Sequence, residues 1–147
     1  MSQNRIQVHE LHACADPGCL GKIHNLLASV WGSSPDVTET DRAMFETAVI
    51  EIAGNIVRHG SDEGRTVCNL ILEVFPDRLD ARFHDDGLIA DVDIAAAAMP
   101  DTNAESGRGL ALAKAAVDVL TYERHNGENF WSLSRTRAPG RPADRSG

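Results

Sequence analysis

The stretch AVIEIAGNIVRHG, residues 48–60, decides the reading of this chain, with two glycine-bearing segments behind it, HDDG at 84–87 and SGRGLAL at 106–112. Phe45, Val49, Ile52 and Ile56 recur at helical spacing, so the segment is an amphipathic helix with that stripe on the core. Glu51 and Asn55 stand four residues apart and fall together roughly 100° from the centre of the stripe, where a side chain reaches a cleft rim without entering the core. A carboxylate and a carboxamide at that spacing can share one small hard cation such as Mg²⁺ with its water shell, and a nucleotide phosphate would complete that shell. Taken alone, the pair is also compatible with two solvated residues on a helix surface.

Outward from this helix, which is expected to start between 37 and 40 and to stop at Gly60, the chain reads as alternating layers. Residues 66–75 place Cys68, Leu70, Leu72 and Val74 on one side, residues 78–84 do the same with Leu79, Ala81 and Phe83, and Pro76-Asp77 turns between them. This is a hairpin. Asp85 shares the inward parity of Leu79, Ala81 and Phe83, so its carboxylate is aimed at the face that packs on the helices, where a buried acid needs a donor. Residues 87–106 read as a mobile loop with one short helix, longer than an ordinary connection. Gly107, Arg108 and Gly109 then open a helix with Leu110, Ala113, Val117 and Leu120 at helical spacing, a transition that suits anions. A second hairpin follows, 119–124 and 129–134, about the turn His125-Asn126-Gly127-Glu128.

On the N-terminal side, residues 5–11 alternate as a short strand, and Asp16-Pro17 starts a helix with the stripe Leu20, Ile23, Leu27 and Val30, ending near Trp31-Gly32. Residues 1–135 are expected to form one domain and 136–147, rich in Pro, Gly and Arg, a disordered tail.

Composition narrows the function classes. Hydrophobic residues make up 42% of the 147 and charged residues 24%, the balance of a soluble globular protein. The net charge of −8, from 14 basic and 22 acidic residues, argues against direct nucleic-acid binding, which needs clustered cations. No apolar run has the length of a membrane span and the first residues lack a signal-peptide pattern, so the expected location is cytoplasmic, with no membrane partner. Cys14, Cys19 and Cys68 match no disulfide framework, and His12, Cys14, Cys19 and His24 match no common zinc spacing; ordinary reduced thiols are expected.

A helix with Glu and Asn, a strand ending in Asp-x-Gly, a mobile loop and a Gly-x-Gly-Leu helix start, in this order, resemble the GHKL superfamily of ATP-binding domains, over roughly residues 37–133. The phrase IVRHG and the segment GRGLAL look most like the anti-sigma-factor serine/threonine kinases of the RsbW type. The resemblance implies the Bergerat fold, an α+β two-layer sandwich with a mixed, largely antiparallel sheet packed on one face by helices. It makes ATP and Mg²⁺ the cofactors, Asn55 the Mg²⁺-coordinating residue and Glu51 the general base. Asp85 would accept a hydrogen bond from the adenine amino group, and Gly87 would let the backbone approach the base. Gly107, Arg108, Gly109 and Leu110 would surround the phosphates. The family's Asp-x-Gly-x-Gly is here Asp85, Asp86, Gly87, Leu88, Ile89, so a β-branched residue replaces the second glycine and the loop there must take a different path.

The resemblance thus implies an ATP-dependent kinase that phosphorylates a STAS-type anti-anti-sigma protein, sequesters a sigma factor in an alternative complex, and forms a homodimer through the first strand and helix. The competing readings are a nucleotide-gated binding module without transfer chemistry and a detached histidine-kinase-like ATPase domain.

Overall fold

The computed structural model describes residues 7–14, 17–59, 67–87 and 105–138. Five strands, β1 (Gln7–Cys14), β2 (Val67–Val74), β3 (Arg78–Asp85), β4 (Val119–His125) and β5 (Glu128–Thr136), form one sheet in the order β1-β2-β3-β5-β4. Every described neighbour pair is antiparallel. Helices α1 (Pro17–Ser33), α2 (Glu39–His59) and α3 (Glu105–Ala116) form the second layer, giving the α+β sandwich the sequence implies.

Alternation in β2 and β3 does what the pleat requires: Leu70, Leu72, Leu79, Ala81 and Phe83 are buried between the layers. They meet Phe45, Val49, Ile52 and Ile56 of α2 and Ile23, Leu27 and Val30 of α1 in a single core closed by Trp131 and Leu133 of β5. Each such side chain is worth about 2 kcal/mol of burial, which outweighs the weak intrinsic preferences of these segments. Thr38 caps α2, its hydroxyl accepting the Asp41 amide at 3.1 Å. Between β4 and β5 the turn is the two-residue Asn126-Gly127, both at positive φ (54° and 79°), the mirror-image geometry that matches strand twist and that Asn and Gly tolerate.

Three boundaries differ from the sequence expectation. Strand β1 continues to Cys14 because it pairs with β2 along its whole length, down to Cys14 against Val67. Helix α3 begins at Glu105, so Gly107 lies within its first turn instead of opening it, and it ends at Ala116, so Val117 follows it and Leu120 belongs to β4. Strand β5 runs past the expected Ser134 to Thr136, and the buried Arg137 beyond it donates to the Phe75 carbonyl and to Asp36, each at 2.8 Å. Of the expected loop over 87–106, residues 88–104 lie outside the described residues, as do residues 139–147 of the expected tail over 136–147. Cys19 and Cys68 are buried thiols, and hydrogen bonding to Cys19, then burial, pushes the Cys68 thiol far above its ordinary value. Cys19 thus faces the core, while His12 is exposed.

Candidate functional site

Arg135 fixes how the layers are aligned. Its guanidinium donates to Asp41 Oδ1 at 2.9 Å, in the first turn of α2, and to the carbonyl of Ala116 at 2.8 Å, the last residue of α3. The two helices therefore run antiparallel, with the start of α2 and the end of α3 at one end of the sheet. Asn129 lies six residues back along β5, roughly 20 Å away at the rise of a strand. Asn55 lies 14 residues along α2 from Asp41, roughly 21 Å at the rise of a helix. The second half of α2, the start of α3, Asp85 and Asn129 thus share the opposite end. Among the sequence-predicted residues, the structure sets Glu51 of α2 against Gly109 of α3, and Asp85 against the Gly87 amide.

Asp85 closes β3 and is 2% exposed, as its inward parity requires. Its Oδ1 accepts the Gly87 amide and the Asn129 side-chain amide, both at 2.9 Å. Its Oδ2 is buried with no partner among the described residues. Burial is the largest influence on this carboxyl and holds its pKa above the ordinary aspartate value, with Asp86 adding to the effect; the bonds from Asn129 and Gly87 and the proximity of His84 oppose it. A buried acceptor without a donor costs about 1–3 kcal/mol, a cost that a ligand donor would remove. Asn129 pairs with Asp85 across β3 and β5, and its Oδ1 accepts Arg124 Nη1 at 2.9 Å and the Tyr122 hydroxyl. The same Arg124 nitrogen donates to the Gly87 carbonyl at 3.1 Å.

On α2, Asn55 is 5% exposed and Glu51 half-buried. The amide oxygen of Asn55 accepts a short hydrogen bond from Arg58, so the one oxygen suited to a hard cation already attracts a cation. Glu51 lies against α3: a Cβ built on Gly109 would sit 2.6 Å from Glu51 Oε1. Gly109 therefore lets the helices approach around that carboxylate. As the fifth residue of α3 it is past the N–H groups left free at a helix start, whereas Gly107 falls among them. Leu110 is 5% exposed and packed in the core, which leaves its side chain away from a ligand.

A groove of about 440 Å³ between α1 and α2, lined by His24, Glu46, Ile50 and Glu51, gives access to the Glu51 carboxylate from outside. A larger cavity of about 590 Å³ lies on the uncovered face of the sheet, against Arg82, His84 and Phe130, and includes neither Glu51, Asn55 nor Asp85. No group of three or more metal-ligating side chains occurs among the described residues; a cation here would take most of its ligands from phosphate and water, as Mg²⁺ commonly does.

Sequence reasoning missed Asn129, Arg124 and Tyr122. The signal was present for one of them: Asn129 shares the inward parity of Trp131 and Leu133, so a polar side chain stood at a core position, as with Asp85.

Residues 14–134 match the histidine kinase-like ATPase domain family. No curated protein matches the chain. Among solved structures, that of the RsbU and RsbW domains of Rv1364c from Mycobacterium tuberculosis is similar at 21% identity and a TM-score of 0.60, covering 90% of this chain and 34% of that one. The chain thus spans about a third of that protein's length. The SiaB–SiaC complex from Pseudomonas aeruginosa is similar at 14% identity and a TM-score of 0.58, covering 92% of each chain. At these identities the likeness is one of fold. No helix among the described residues is long and apolar enough to cross a membrane.

Proposed function

The chain belongs to the histidine kinase-like ATPase domain family, and we propose that it is a cytoplasmic, Mg²⁺-dependent serine/threonine kinase that acts on a STAS-type anti-anti-sigma protein and binds a sigma factor in an alternative complex. The observation that carries the nucleotide part is the buried, unpartnered Oδ2 of Asp85. An acceptor with no donor, walled by sheet on one side and helix on the other, fits the exocyclic amino group of adenine. From that end the nucleotide would extend toward α3, where the first-turn backbone around Gly107 and Arg108 and the helix dipole favour phosphate. Asn55 would hold the cation once Arg58 cedes its oxygen, and bound Mg²⁺ would neutralise phosphate charge and orient the γ-phosphoryl group.

Glu51 carries the transfer. The acceptor hydroxyl enters along the groove between α1 and α2, Glu51 takes its proton, the hydroxyl oxygen forms a bond to Pγ, and the bond from Pγ to the bridging oxygen breaks to leave ADP. Support for a protein acceptor comes from two of the similar folds, one containing an RsbW domain and the other a complex of SiaB with SiaC. A homodimer is part of the same reading, but through β1 alone. The α1 stripe Ile23, Leu27 and Val30 is already consumed by the core, while Val8 of β1 is 48% exposed.

A nucleotide-gated binding module is the second reading, favoured by Arg58 sitting on the Asn55 oxygen. Replacing Glu51 by Gln separates the two. In a kinase, transfer from γ-labelled ATP to a purified STAS-type acceptor falls by roughly 10² to 10⁴ while ATP binding survives. An acceptor that binds wild-type protein with Mg-ATP yet takes no label sinks the kinase reading and leaves the module.

A further inference from the structure

We propose that Asn129 is a positioning residue that sets which edge of a base the site accepts, by holding Asp85 with Oδ2 presented as a bare acceptor. The inference rests on the nucleotide reading above and extends it to a part of the site no motif supplies.

An amide side chain has one accepting and one donating end. At Asn129 the accepting end is occupied twice, by the Arg124 guanidinium and by the Tyr122 hydroxyl on β4. A guanidinium cannot accept, so a flipped amide would face donor to donor at Arg124 and acceptor to acceptor at Asp85. The amide is thereby locked with its nitrogen 2.9 Å from Asp85 Oδ1. With the Gly87 amide on the same oxygen, Oδ1 holds two donors and Oδ2 none. The carboxylate cannot turn to exchange its oxygens without breaking both bonds. What remains facing the site is a single lone-pair acceptor, which welcomes the 6-amino group of adenine and repels the 6-oxo group of hypoxanthine. Arg124 extends the lock to the backbone, since it also holds the Gly87 carbonyl where the chain leaves toward Leu88 and Ile89. That clamp lies two residues before the position where a second glycine is missing.

The ionisable groups around Asp85 are Cys68 on β2, His84 and Asp86 on its own strand end, and Arg124 and Tyr122 of β4 acting through Asn129 of β5. Glu51 and Arg58 are the charged residues on the facing half of α2. Without the Asn129 donor, Asp85 holds its proton to higher pH, and a protonated carboxyl can donate to a 6-oxo group. Discrimination then collapses from the acid side.

The experiment is calorimetric titration with ATP and with ITP at about pH 6 and about pH 8, on wild type, Asn129→Leu and Tyr122→Phe. Wild type prefers ATP at both. Asn129→Leu weakens ATP roughly tenfold and ITP much less, as loss of one bond to a charged group predicts, and its preference shrinks further at the acid pH. Tyr122→Phe shows the same pattern at smaller amplitude and decides the matter if the leucine variant does not fold. Equal losses for both nucleotides at both pH values, or no loss, overturn the role of Asn129 alone. Wild-type protein that binds neither nucleotide, or Asp85→Ala that binds ATP like wild type, overturns the nucleotide reading and this inference with it.

Discussion

Replacing Gly109 by Ala should make the protein more stable and less active, and the two effects come from the same methyl group. Gly109 lies inside α3 at an ordinary helical φ, so alanine is accepted by the backbone and gains about 1 kcal/mol of helix propensity. In a domain of this size that is a rise in Tm of roughly 2–4 °C. The new Cβ would stand 2.6 Å from Glu51 Oε1 but 3.7 Å from Glu51 Cδ, so the clash is with the far end of a flexible side chain. Ordinary contact begins at 3.4 Å, and the carboxylate must therefore move by about 0.8 Å. A displacement of about 1 Å of a catalytic group lowers transfer on the order of 10²-fold. ATP affinity should be unchanged, because Asp85 belongs to the sheet. Thermal melting, ATP titration and single-turnover transfer on one preparation test all three. A lowered Tm would show that the methyl strikes something rigid, and unchanged transfer would show that the placement of Glu51 is immaterial to the chemistry.

Three further outcomes follow from the buried aspartates. Asp85→Ala should weaken ATP and ADP alike by at least about tenfold, with or without Mg²⁺, since it removes a charged acceptor to the base; calorimetry that finds only the Mg²⁺-dependent part altered would contradict this. On acidification, ATP binding should be lost at a higher pH than the fold, as measured by titration alongside circular dichroism. Asp41→Asn, which breaks a buried pair, should cost about 3 kcal/mol at neutral pH and flatten the acid limb of stability.

Much of the fold was legible because period and parity are strong signals where one face is buried. The stripes of α1 and α2 and the alternation of β2 and β3 landed on the core, and Asp85 was placed from parity alone. The strand order was not legible: β5 inserts between β3 and β4 through hydrogen bonds that no local pattern encodes. Nor was Arg135, which reads as an exposed residue of a polar run yet spans α2, α3 and β5 because its length allows it to bridge two helix ends. Gly109 was read as part of a phosphate loop; one turn of helix before it changes the meaning of the same residue from amide donor to clearance for Glu51.

On the proposed reading, the two buried aspartates make binding and stability separable. Burial alone would raise both. At Asp41 it is outweighed by the Ala138 amide, the Arg135 guanidinium and Thr38, and the carboxyl is held below 3.8. Its stabilising effect is therefore complete above that value and disappears as pH falls through the lower folded one. At Asp85 no cation reaches the carboxylate directly, two neutral donors do not offset burial, and the pKa stays raised. That sign is the reverse: the folded state holds the proton more tightly than the unfolded chain, so Asp85 favours folding at acid pH and withdraws that support as pH rises through its folded value. An acceptor for a base must be ionised, so the site is lost on the way down in pH while the fold still retains the Asp41 pair. The end of the sheet that holds the helices together has its charge neutralised by Arg135; the other end leaves a carboxylate oxygen unanswered, at a cost in stability that an arriving amino group would cancel.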